Sequence, residues 1–237
     1  MSRPQADIAF LFDVDNTLLD NDQVITDLER HLEREVGAGR AAHYWRLFEQ
    51  LRAELGYADY LGTLQRYRGE YPHDPGILTV SHFLLNYPFA ERLFPRALEA
   101  VAYVKQWGPV ALLTDGDVVF QPRKVDRSGL AAAVAGEVFI YLHKEKELAD
   151  VEERCPAEHY VVVEDKLRLL AAIKKIWGQR VTTVFVRQGH YAVDPKVLAA
   201  HPAADINLDC IGDLLQSDLA QLAGRSKRRP AGHHSTE

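Results

Sequence analysis

Four short apolar runs constrain this chain more than any other feature: residues 8–12 (IAFLF), 110–113 (VALL), 161–163 (VVV) and 181–186 (VTTVFV). Each is nearly continuous rather than alternating, the pattern of a strand covered on both faces in a parallel sheet. Weaker runs at 138–142 and 204–208 extend the series. Helical spacing fills the stretches between them. Ala97, Leu98, Ala100, Val101 and Val104 form one apolar face before Val110, and Leu167, Leu170, Ala171 and Ile173 form another after Asp165. Strands alternating with helices predict a three-layer, doubly wound α/β fold with a mainly parallel sheet.

One interval is too long for that scheme. Nearly a hundred residues separate Phe12 from Val110, where a strand–helix–strand crossover needs about 30. The interval is not linker-like. Val24, Leu28, Leu32 and Val36 recur at helical spacing, as do Tyr44, Leu47, Leu51 and Leu55. Residues 60–68 and 77–85 also read as helices, separated by the turn-rich YPHDPG at 71–76. We therefore expect an α/β core domain from residues 1–21 and 91–223, and an all-helical domain from 22–90. The stretch from Asn86-Tyr87-Pro88 to Pro95 would form the return hinge. The basic tail 224–237, with small residues, Gly and Pro, reads as disordered.

The first apolar run ends in acids: Phe12-Asp13-Val14-Asp15-Asn16-Thr17-Leu18-Leu19-Asp20. Carboxylates there sit at the carboxyl end of a parallel sheet, where open α/β folds bind ligands. A bare Asp-x-Asp is more often a cap for the next element. Here the strand before it and the helical insert after it favour a functional role.

FDVDNTLLD resembles the first signature of the haloacid dehalogenase-like (HAD) superfamily, whose members include phosphatases, phosphotransferases and dehalogenases. The resemblance spans about residues 7–210 and includes a helical cap of the C1 type inserted after the first motif. It implies an HAD-like Rossmannoid core and further site residues. A Ser or Thr ending the next core strand is matched by Thr114 in Leu113-Thr114-Asp115-Gly116. A Lys before the fourth motif is matched by Lys144 or Lys146; we take Lys144, which is nearer the apolar run. Were that segment extended, the two lysines would share a face roughly 7 Å apart, so that only one reaches Asp13. The acidic pair after the fourth motif's strand is Glu164-Asp165.

Two positions depart from the family pattern. A second acid is common four or five residues beyond Asp165, where this chain has Leu169 and Leu170; Glu164 is the candidate to take over that share of the metal shell. Asp115 stands where many relatives have Asn, and its side chain is expected to turn away from the phosphate.

The chemistry implied is a Mg²⁺-dependent phosphohydrolase acting on a small phosphorylated metabolite. Asp13 would be the nucleophile and Asp15 the acid/base, with Lys144 balancing charge. Thr114 and the backbone N–H groups around Asp115 and Gly116 would hold the phosphoryl group. Asp13, the Asp15 backbone carbonyl, Asp165 and Glu164 would hold the metal. A phosphotransferase or phosphomutase would use the same residues. A haloacid dehalogenase would lack Asp15, and a silent binding module remains the reading from another class. Tyr44, Trp45, Arg46, Tyr57, Tyr60, Arg66 and His82 are the insert's candidates for substrate contact, although most read better as packing or solvated surface.

Composition narrows the setting. A net charge of −6 offers no basic footprint for nucleic acid. Cys155 and Cys210 form no CxxC pair, which points to a reducing compartment. The N-terminal apolar run is too short for a signal peptide or a membrane span. The expectation is a cytoplasmic protein of open oligomeric state.

Overall fold

The computed structural model describes residues 4–223; the tail at 224–237 lies outside the described residues. The chain opens with β1 (Ala6–Phe12) and then forms α1 (Asn21–Val36), α2 (Ala38–Leu55), α3 (Tyr60–Glu70) and α4 (Gly76–Asn86). It returns through α5 (Ala97–Val104), β2 (Val110–Asp115), α6 (Phe120–Arg127), α7 (Leu130–Ala133) and β3 (Val138–Tyr141). After α8 (Leu148–Arg154) come β4 (Ala157–Glu164), α9 (Leu167–Trp177) and β5 (Val181–Val186). The last elements are α10 (Gly189–Val193), α11 (Pro195–Ala199), β6 (Ile206–Leu208) and α12 (Leu219–Leu222).

All six strands run parallel in the order β3-β2-β1-β4-β5-β6. The two weak runs are thus strands, at opposite edges of the sheet. β4 begins four residues before its VVV run because β1 pairs with it from Ala6↔Ala157 onward, carrying the polar Glu158 and His159 into the ladder. Side chains alternate between the two faces. Phe10, Phe12, Leu112 and Val163 face α5, whereas Leu11, Leu113, Val162 and Phe185 face α8 and α9.

The helical insert shares its core with the sheet. Val24, Leu28 and Leu32 of α1, Tyr44, Leu47 and Phe48 of α2, and Val80 and Leu84 of α4 belong to the same buried cluster as Phe10 and Phe12. Burying each such side chain contributes about 1.5–3 kcal/mol. α1 begins where Asp20 accepts a bond from the Gln23 amide, satisfying one of the open N–H groups of its first turn. Among the described residues, no helix is long and apolar enough to cross a membrane.

Candidate active site

The strand order reverses direction between β1 and β4: β2 and β3 lie on one side of β1, while β4, β5 and β6 lie on the other. In open α/β sheets, the crevice at the carboxyl ends of such neighbouring strands is the ligand site. Asp13 follows β1 there, its amide continuing the ladder to the Val163 carbonyl at 3.0 Å. Glu164 closes β4 and Asp165 follows it. Register therefore brings together acids that stand some 150 positions apart in sequence.

Asp13 is buried and held at both oxygens. Lys144 Nζ donates to Oδ1 at 2.5 Å and the Thr17 hydroxyl donates to Oδ2 at 3.2 Å. Lys144 also donates to the Leu113 carbonyl and forms an ion pair with Glu164 Oε2 at 2.5 Å, off the hydrogen-bonding direction. Burial and the Glu164 charge push the Asp13 carboxyl up to about 6, against the pull of Lys144 and Lys166. Burial alone would lower Lys144, but Asp13, Glu164 and Asp115 more than offset it and raise the ammonium above its ordinary range.

The lysine in contact is Lys144, and Lys146 is exposed. The assumption of an extended segment does not hold, because Lys144–Lys146 is a single 3₁₀ turn. That turn aims one lysine inward and the other outward.

Asp165 is fully buried, and among the described residues neither of its carboxylate oxygens has a hydrogen-bond partner. Buried polar groups are rarely left so. One oxygen each from Asp13, Glu164 and Asp165 lies within 4.8 Å of the others. Burial and the neighbouring Glu164 hold the Asp165 carboxyl well above its usual range, with Lys166 opposing. An all-oxygen acidic cluster with unspent lone pairs fits a hard divalent cation. Leu169 and Leu170, at the positions where the family resemblance implied an acid, are buried apolar residues on α9, and Leu170 packs in the core beneath the sheet.

Asp15 lies apart from that cluster. Both its oxygens accept from Lys124 Nζ, at 2.7 and 2.9 Å, and Lys124 also donates to Asn21 Oδ1 at 2.9 Å. Thr114 is buried, and its hydroxyl accepts from Gln121 Nε2 at 3.0 Å and donates to the Asp115 carbonyl at 3.4 Å. Asp115 turns toward the segment after β3, its Oδ1 accepting from the Lys144 amide at 2.7 Å. The Gly116 amide departs from expectation. It donates to the Tyr141 carbonyl at 2.9 Å, extending the β2–β3 ladder, and so is already spent.

Most of the insert's candidate contacts serve packing. Tyr44 is buried and donates to the Tyr60 carbonyl, Arg66 pairs with Glu54, and His82 partners Asn86. Tyr60 is the exception in reaching the core: its ring lies 5.2 Å from that of Phe120. Thr17, Asn21, Gln121 and Lys124 are site residues that the sequence reading did not assign. Thr17 was legible within the DNT motif. Lys124 was not, since a lysine in a short polar helix normally reads as surface.

The chain matches the model of the haloacid dehalogenase-like hydrolases over residues 9–176 and belongs to that family. Among solved structures it is similar to a protein from Burkholderia xenovorans LB400 described as a haloacid dehalogenase-like hydrolase. The two share 60% identity over 90% of this chain and 99% of the other, with a TM-score of 0.86. The HAD-hydrolase YfnB of Bacillus subtilis, solved bound to magnesium, shares the fold at 18% identity and a TM-score of 0.59, covering 90% of this chain and 98% of its own. L-2-haloacid dehalogenase from Xanthobacter autotrophicus does so at 20% identity and 0.57, covering 88% and 96%. Among curated protein sequences, none matches.

Proposed function

We propose that the protein is a Mg²⁺-dependent phosphohydrolase of small phosphorylated metabolites, working through an aspartyl-phosphate on Asp13. One observation carries this reading: a buried carboxylate oriented by Lys144 and Thr17 stands beside the partnerless oxygens of Asp165. The magnesium in YfnB adds support from a shared fold. Asp13, Asp165, Glu164 and the Asp15 backbone carbonyl are the residues to hold the cation. When bound, it supplies positive charge that lets a phosphate dianion approach carboxylates.

In the first step, an Asp13 oxygen attacks phosphorus while the ester P–O bond breaks. The leaving oxygen takes a proton from the Asp15 carboxyl. In the second, water attacks the same phosphorus and gives its proton to Asp15. The bond to Asp13 breaks, inorganic phosphate leaves and both aspartates return to their starting forms. Lys144 stabilises the carboxylate before attack and the phosphoryl charge during it. Thr114 donates to a phosphoryl oxygen, its hydroxyl turning from the long 3.4 Å bond it makes to the Asp115 carbonyl while its oxygen accepts from Gln121. Residues 22–90 act as a cap that shields the reaction from bulk water.

Asp15 favours this chemistry over haloacid dehalogenation, which has no leaving oxygen to protonate. Asp13→Asn should abolish phosphate release and phosphoenzyme formation together. Asp15→Asn should be slowed about 10²-fold or more on alkyl phosphates. With an aryl phosphate, whose leaving group needs little protonation, it should accumulate a phosphoryl group on Asp13. Intact-mass analysis and peptide mapping after acid quench read both outcomes. Near-normal turnover by Asp13→Asn, or a label on another residue, defeats the assignment, and chloride release from 2-chloropropionate would replace it with dehalogenation.

A further inference from the structure

Lys124 is a fully buried cation that the proposed reaction does not use. It stands on α6, only 1% exposed, and its ammonium has three oxygen acceptors: both carboxylate oxygens of Asp15 and the amide oxygen of Asn21. The Phe120 ring lies 5.2 Å from its nitrogen. A buried lysine is costly unless its charge is answered. Here all three N–H bonds have acceptors, so the side chain has one well-defined place. Asp15, in turn, has 23% of its side chain exposed. Among the described residues, Gln121 Nε2 at 3.5 Å makes the only other side-chain hydrogen bond to its carboxylate. The arrangement is asymmetric: Lys124 is buried, and the more exposed Asp15 is held by it.

Asn21 gives the contact a second function. It is the first residue of α1, where the chain enters the helical insert. Phe120, one turn before Lys124 on α6, also packs its ring 5.2 Å from that of Tyr60 on α3. Asp15, Lys124 and Asn21 therefore form one polar chain from the motif loop through α6 to the first helix of the insert. Gln121, one helical turn before Lys124, links Thr114 to the same end of α6. We propose that Lys124 is a positioning residue. It fixes the Asp15 carboxylate for proton transfer and, through Asn21, ties that placement to the seating of the insert. This rests on the phosphohydrolase reading above.

Lys124→Met removes the charge and all three bonds while keeping much of the volume. It should slow phenyl phosphate turnover about 10-fold or more. Phosphorylation of Asp13 by p-nitrophenyl phosphate should change far less, and the phosphoenzyme should build up. Added to Asp15→Asn, it should cost nothing further, because the residue it positions is already disabled. A crystal structure of metal-free Lys124→Met should show the Asp15 carboxylate displaced or split between rotamers. Should Lys124→Met not fold, Lys124→Gln, which donates to only one Asp15 oxygen, should give the same leaving-group pattern in weaker form. Equal slowing on both esters, costs that add to Asp15→Asn, or an unmoved Asp15 would overturn the proposal. A wild-type protein that forms no phosphoenzyme would instead overturn the phosphohydrolase reading on which it rests.

Discussion

Buried at the carboxyl end of the sheet, Lys144 answers two carboxylates at once, Asp13 and Glu164. Removing it leaves both charges buried with no other cation of the described residues in contact, a loss typically of about 3–5 kcal/mol. Lys144→Ala should therefore show a large drop in urea midpoint and lose activity. Lys146→Ala, at an exposed position two residues on, should stay within about 0.5 kcal/mol of wild type. Equal behaviour of the two variants would contradict the inward turn of Lys144. At the same scale, the sequence motif named Asp13 because its chemistry is local: an acid at the end of an apolar strand. It did not name Lys124, whose burial depends on α6 packing against the β1 loop.

Elements meet closely where α10 begins. Gly189 has a φ of +72°, and a Cβ placed there would lie 2.5 Å from the Asn16 side chain. Asn16 is itself left-handed, with a φ of +62°. Its side-chain oxygen accepts from the amides of Asn21 and Asp22, and its nitrogen donates to Asp22. The loop after β1, the start of α1 and the start of α10 thus share one contact. Gly189→Ala both strains the backbone and crowds Asn16, and should cost about 1–3 kcal/mol in urea unfolding. A cost below about 0.5 kcal/mol would mean that the contact is not tight. The helices of the insert were legible as periodic patterns: α3 and α4 extend the expected 60–68 and 77–85 by one or two residues, whereas α2 begins well before the first periodic residue, Tyr44. Their pooling of one core with the sheet was not legible, since periodicity identifies a buried face but not its partner.

At the scale of the whole molecule, the acidic centre links stability to pH and to metal. In the folded protein without metal, Asp13 holds its proton up to about pH 6, and Asp165 is raised as well. Unfolded, both ionise near pH 4. Between those values the folded state binds more protons, so these two groups lose stability for the fold as pH rises. A divalent cation needs the ionised carboxylates and offsets that loss. The rise in melting temperature produced by saturating Mg²⁺ should be larger at about pH 8 than at about pH 5. A shift independent of pH would separate the metal from Asp13 and Asp165.

The sequence by itself determined the strands, the long insertion, the order of motifs and the identity of the acids. Each rests on short-range information: apolar continuity, helical period, or the residue that ends a strand. Only the tertiary structure decided that Lys144 rather than Lys146 turns inward, that the Gly116 amide is spent on Tyr141, and that Lys124 lies against Asp15. These outcomes depend on strand register and helix packing, which bring residues over a hundred positions apart within 3 Å of one another. No local pattern encodes such distances.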